Sequence, residues 1–234
     1  MDIKYKYLLL CIMVIALGVL NFESIASQNK QMSEEELEKW FNSNEDTPDP
    51  LKLINEGDLV FLSQKPEHKS HQAKHVITIL PDSLKDGWVI LAQCHNNLDV
   101  TPAAQVIFQN KRVRDLKVTS STNIKKAWVE NNTVQLEKID QGATLCLELQ
   151  TKALWENKDH SYSLRTGPYQ RRFLDGYFPM DLHVDINYPD HILAYKNIAP
   201  EIQPGLSVTH NASSIKVNAL FKGKLHLSVN FSKK

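Results

Sequence analysis

The chain has 234 residues, with 27 basic and 27 acidic side chains, so it is formally neutral at pH 7. That balance argues against nucleic acid as a partner, because phosphate binding draws on a surplus of Lys and Arg. The length permits one sizeable domain or two small ones.

The first residues set the expected compartment. "MDIKYKY" carries Lys4 and Lys6, "LLLCIMVIALGVL" follows without a charge, and "ESIASQ" offers Ser24 and Ala26 at the positions a signal peptidase reads. Residues 1–26 are therefore expected to be a signal peptide, cleaved after Ala26, or else an uncleaved anchor. The apolar run falls short of the ~20 residues that span a bilayer comfortably. Membrane contact is expected only through residues 7–22, and only if that segment is retained. Cys11 is no lipoprotein cysteine, since Leu10 precedes it where a small residue is wanted.

Residues 27–50 read as a short helix and an acidic linker. In "SEEELEKWF", Ser33 and Glu36 form a capping box, and Leu37, Trp40 and Phe41 make an apolar stripe. "NSNEDTPDP" ends the helix with two prolines and a run of acidic and amide residues.

Beyond the linker the character changes. "LVFL", "HVITIL", "GWVILAQC", "AQVIF", "TVQLEKI", "ATLCLELQ" and "DLHVDIN" are short, β-branched or alternating, and bounded by turn residues. Glycines such as Gly87, Gly142 and Gly223 fall in turn-like settings. At the C-terminus, Ile215, Val217, Ala219 and Phe221 alternate with polar residues. Leu225, Leu227, Val229 and Phe231 do so again after Lys222-Gly223, which reads as a hairpin. An outer-membrane barrel shares this alternation, but residues 65–75 and 185–204 lack lipid-facing strands. The polar stretch "WENKDHSYSLRTGPYQ" marks an expected boundary. The fold class expected is mainly β: an antiparallel β-sandwich-like body of one or two β-rich modules, residues 51–155 and 156–234, the second ending in the hairpin.

After removal of residues 1–26 two cysteines remain, Cys94 and Cys146, and in an oxidising compartment they are expected to form a disulfide. In "ATLCLELQ" the apolar residues share one strand face, so Cys146 should lie on the other, with the bridge toward the surface or between sheets.

Four places could carry chemistry. "PEHKSHQAKH" sets His68, His71 and His75 within eight residues, a possible Zn or Cu site. Pro66, Lys65, Lys69 and Lys74 instead favour a solvated basic loop, with His75 opening a strand. In "DLHVDIN", Asp181, His183 and Asp185 share a strand face that could bind a cation or do acid–base work, or simply face water. "GPYQRRFLDGYFPM" sets Tyr169, Phe173, Tyr177 and Phe178 among Arg171, Arg172 and Asp175. Guanidinium forks beside aromatic faces recognise carboxylates, phosphates or sugars, and dominate protein interfaces. A structural corner, with Arg–Asp pairing around Gly176, is the bland alternative. In "AQCHNNLDVTP", Cys94 and His95 adjoin, but a bridged Cys94 has no thiol to offer, and Asn97 and Asp99 read as loop residues. No nucleophile elbow, zinc-protease motif, C-x-x-C or phosphate loop occurs.

The sequence thus predicts an exported, periplasmic or extracytoplasmic, β protein that acts by binding rather than catalysis. Its expected contact surface is Tyr169, Arg171, Arg172, Phe173, Asp175 and Tyr177, for an envelope protein or a small anionic or carbohydrate ligand, with no cofactor. The alternatives are a metal-binding protein using Zn or Cu, and an envelope hydrolase with a dispersed site.

Overall fold

Alternation of apolar and polar residues organises the molecule. In a computed structural model that describes residues 57–65, 71–108, 110–173 and 176–234, the chain is mainly β, with fifteen strands. The expected signal or anchor segment, the helix over 33–41 and the acidic linker lie outside the described residues. Among the described residues the one α-helix is α1 (Ser83–Asp86), and no helix is long and apolar enough to cross a membrane.

The strands run β1 (Val60–Phe61), β2 (Gln72–Thr78), β3 (Trp88–Asn96), β4 (Thr101–Ile107), β5 (Val113–Glu130), β6 (Thr133–Lys152), β7 (Leu154–Glu156), β8 (Tyr162–Tyr169), β9 (Arg172–Phe173), β10 (Gly176–Tyr177), β11 (Met180–Asn187), β12 (Leu193–Ala199), β13 (Leu206–His210), β14 (Ser214–Lys222) and β15 (Leu225–Lys233). A nine-stranded sheet has the order β1-β14-β11-β2-β3-β6-β4, with β13 also on β14 and β5 also on β6. A four-stranded sheet has the order β12-β15-β8-β7, and β9 and β10 form a two-stranded ribbon. Among the described residues every strand pairing is antiparallel except β2 with β11. That parallel pair brings strands from either side of the expected boundary at residues 155–170 into one sheet. The boundary stretch itself forms the β7–β8 hairpin.

The core follows the alternation. Leu145, Leu147 and Leu149 of β6, Val184 and Ile186 of β11 and Phe221 of β14 are buried in the nine-stranded sheet. Leu164 of β8 and Leu227, Val229 and Phe231 of β15 are buried in the four-stranded sheet, and all belong to one hydrophobic cluster. Each such side chain stabilises the fold by roughly 1.5–3 kcal/mol on burial.

The expected C-terminal hairpin does not form. β14 pairs with β1, β11 and β13, whereas β15 pairs with β8 and β12, so the chain changes sheets at Gly223. Its φ of 94° and the close backbone of Asp58 leave no room for a side chain there. The alternation is real, since the eight apolar residues read in the two strands are all buried. Each strand needs only an apolar surface against its inward face, and either arrangement supplies one.

Two further differences concern β5 and β6. "TVQLEKI" and "ATLCLELQ" are a single 20-residue strand, and Gly142, with φ 73°, lies inside it where a turn is expected. Register shifts in the β5–β6 ladder, one between Thr122 and Ile124, absorb the irregularity. Gly87 does end an element. It caps α1 in the left-handed conformation, and its carbonyl accepts from the backbone N–H groups of Ala153 and Leu154.

Candidate functional site

The inner faces of β2 and β3 carry polar residues where alternation calls for apolar ones. On β2 the buried positions are Ala73, His75 and Ile77, and His71 precedes them on the same face. On β3 they are Val89, Leu91, Gln93 and His95. The ladder sets Ala73 opposite His95 and His75 opposite Gln93. His95 therefore stands between His71 and His75, and three imidazoles and an amide meet inside the protein.

His71 Nε2 and His95 Nδ1 share a hydrogen bond of 2.9 Å, and the Gln93 amide nitrogen lies 3.1 Å from His95 Nε2. With the amide donating, His95 accepts at Nε2 and donates from Nδ1 to His71. His75 packs edge-on against His95, centroids 6.0 Å apart, and against Tyr169 at the end of β8, centroids 5.1 Å apart. Both its ring nitrogens are buried, and neither has a hydrogen-bond partner among the described residues.

All three rings are held neutral at pH 7. Burial, followed by the charge of Arg171, lowers His71 to about 4, with Asp99 opposing. Burial and then His71 lower His75 to about 3. Burial, then His71 and His75, hold His95 well below its ordinary value. Burial also pushes the Tyr169 hydroxyl up to about 12, against a hydrogen bond with Thr166.

The outer end of this column is closed by an ion pair. Arg171 grips Asp99 with both arms of its fork: Nε donates to Oδ2 at 2.9 Å and Nη2 donates to Oδ1, while Nη1 donates to the Pro179 carbonyl at 3.1 Å. Asp175, the partner expected for it, lies outside the described residues. The fork is filled by an aspartate from the β3–β4 loop, 72 residues away in sequence. Arg171 therefore has little capacity left for a ligand.

Its neighbours are placed differently. Arg172 and Phe173 on β9 are exposed, and Tyr177 on β10 is buried beneath the cations of Arg172 and Lys224, 5.6 and 5.2 Å from the ring centroid. Phe173 and Phe178 meet edge to face at 5.5 Å, with Arg171 against both rings. The structure thus joins the histidine stretch, the aromatic–arginine stretch and Asp99 in one region. The contacts between Tyr169 and His75, and the field of Arg171 on His71, connect them.

The histidine stretch departs from the expected solvated loop at the two positions that are described. His71 and His75 are buried, and His75 lies mid-strand in β2 because Ala73, His75 and Ile77 alternate inward. His68 lies outside the described residues.

The stripe on β11 lies on the strand face opposite Leu182, Val184 and Ile186, but Asp181 on it is buried, and its members are engaged with each other and with neighbouring strands. Asp181, with only 5 % of its side chain exposed, accepts from Lys65 at 2.8 Å and Gln72 at 3.2 Å. His183 Nε2 lies 3.2 Å from the Asp181 carboxylate, and its Nδ1 lies 2.6 Å from the Asn218 amide oxygen. Asp185 faces Lys74 at 3.9 Å. Among the described residues no three His, Cys, Asp or Glu side chains are grouped to hold a metal ion.

Cys94 and Cys146 form a disulfide, at directly opposed positions of β3 and β6 and on the face away from the apolar core residues. Cys94 and His95 therefore point to opposite sides of the sheet, and no thiolate–imidazole pair exists there.

Gln93 and Asp99 carry roles the sequence reading did not give them. A signal for Gln93 and His95 is present: in "WVILAQCHN" both occupy the positions that continue Val89 and Leu91. Asp99 has no such signal, because its partner is set by the tertiary fold.

No protein-family model matches the chain, and no curated protein matches it with significance.

Proposed function

We propose that this chain is an exported cell-envelope protein that acts by binding, built as a sandwich of two β-sheets, with the ribbon β9–β10 and its flanks as the contact surface. One observation carries the reading: Arg172 and Phe173 stand exposed together, while Arg171 behind them is locked to Asp99 and to the Pro179 carbonyl. A fixed base beneath an exposed guanidinium and an exposed phenyl ring, each already resting on an aromatic neighbour, lowers the ordering cost of binding. A carboxylate-bearing envelope protein, or a small anionic or carbohydrate ligand, suits that pair chemically. The common hydrophobic cluster of the two sheets supports the sandwich.

The test places a photo-crosslinking residue at Phe173 and, as a control, at the still more exposed Ile107, in protein expressed with its own N-terminus. A discrete adduct at position 173 that disappears with Arg172→Glu is expected. Equal labelling from both positions, or an adduct indifferent to Arg172→Glu, refutes the surface. A dispersed hydrolase has less support: among the described residues no hydroxyl or thiol is hydrogen-bonded to His71, His75 or His95.

A further inference from the structure

The His71–His95 contact has a geometry that simple packing does not require. The ring centroids are 5.1 Å apart and the bonded nitrogens 2.9 Å apart. The centroid distance is close to the nitrogen distance plus a ring radius at each end, so the two nitrogens point at each other nearly head to head. In the hydrogen-bonded pair a single proton lies between them.

A monovalent d10 metal ion asks for the same arrangement: two neutral imidazole nitrogens on one line through the ion. With metal–nitrogen distances of about 2 Å, replacing the proton opens the pair by roughly 1 Å, shared between two side chains. No net proton is released. The ring that now donates shifts its proton to its own second nitrogen and offers a lone pair instead. For His95 that second nitrogen is Nε2, which faces the Gln93 amide. Turning the amide presents its oxygen as the acceptor for the new N–H, so Gln93 can serve either tautomer.

Three surroundings decide the class of ion. Among the described residues no third His, Cys, Asp or Glu completes a metal-holding group with the pair, which disfavours ions that demand four or more ligands, such as Zn(II). The nearest cysteine, Cys94, is bridged and faces the other side of the sheet. Arg171 acts on His71 with a positive charge only partly offset by Asp99, so a singly charged ion meets less repulsion than a doubly charged one. A second observation comes from His75, buried edge-on beside His95 with both nitrogens unpartnered among the described residues. An imidazole kept there leaves a donor-rich enclosure where an apolar side chain would pack at lower cost.

We propose that His71 and His95 form a two-coordinate site for Cu(I), with Gln93 as a positioning residue that holds the His95 tautomer. The site is independent of the surface proposed on β9–β10, and either stands if the other fails.

The test uses the full-length protein under anaerobic conditions. Cu(I) is supplied in competition with a chromophoric chelator, Ag(I) serves as a redox-inert probe, and Zn(II) as the contrast. One equivalent of Cu(I) and of Ag(I) is expected, with no retained Zn(II). His71→Ala and His95→Ala should each weaken binding at least a hundredfold, and Gln93→Leu about tenfold, while His183→Ala leaves it unchanged. Because the buried substitutions could unfold the protein, nitrogen NMR on the unmutated protein supplies a second readout. Ag(I) should shift His71 Nε2 and His95 Nδ1, with silver–nitrogen coupling at both, and leave His183 in place. Failure of both ions to bind at one equivalent, binding that survives both histidine substitutions in folded protein, or coupling at other histidines would each overturn the site. Retained Zn(II) at the same nitrogens would replace it with a site of higher coordination.

Discussion

Replacing His75 by leucine should stabilise the metal-free protein, and more so in acid. In the native protein both His75 nitrogens are buried without partners among the described residues. On the scale of protein mutations, burying such a polar side chain uncompensated costs about 1–3 kcal/mol. Leucine removes the cost but gives up the edge-on contact with Tyr169, worth about 0.5–1.5 kcal/mol. The net expectation at pH 7.5 is a gain of about 1 kcal/mol. Acid adds a second contribution. The folded-state value of His75 is about 3, against 6.5 for the free side chain, so between those limits the unfolded chain binds the proton and the folded protein does not. Stability is therefore full above about pH 6.5 and falls as the pH drops toward 3. At pH 5 this group alone removes about 2 kcal/mol, at 1.36 kcal/mol per pH unit. His75→Leu abolishes that loss, so its advantage should widen from about 1 to about 3 kcal/mol between pH 7.5 and pH 5. His71 and His95 are also depressed and keep some acid sensitivity in the variant. Urea unfolding followed by tryptophan emission at the two pH values measures the difference directly. A variant that is less stable at pH 7.5 by more than about 2 kcal/mol, or a gap that does not widen in acid, would refute the reasoning.

Arg171→Ala should cost about 2 kcal/mol in a thermal melt, because it strands a half-buried Asp99. Arg171→Lys should recover less than half of that, since an ammonium cannot reproduce the two-armed grip. Replacing Cys94 and Cys146 together by alanine frees a loop with a sequence separation of 52 and should lower stability by up to about 4 kcal/mol, read from urea midpoints under non-reducing conditions. Phe231→Ala should cost about 3–5 kcal/mol in the same assay, because the ring is fully buried against Tyr188 and a cavity there opens the shared core. A loss under 1 kcal/mol would show that the core closes around the gap.

Much of the strand content was legible in the sequence because burial on one face writes itself as a period of two. "HVITIL", "ATLCLELQ" and "DLHVDIN" all lie within or across strands, and the outward position of Cys146 followed from the same alternation. β5 was not legible. It pairs with β6 along its length, yet of its eighteen residues only Val113 is buried, so no apolar stripe marks it. The histidines were visible but misplaced. Counting imidazole as polar ends the pattern of "HQAKHVITI" too early, whereas Ala73, His75 and Ile77 together make an ordinary inward face.

By itself the sequence determined the strands that carry a marked apolar face and which face of each is buried, since these depend on neighbours two positions apart. The tertiary structure alone decided which strands pair. It parted β14 from β15, set β2 beside β11, and carried Asp99 to Arg171 and His71 to His95. Those choices lie beyond local pattern for one physical reason. An apolar face is satisfied by any apolar surface of the right shape, so alternation records the need for a partner and not its identity.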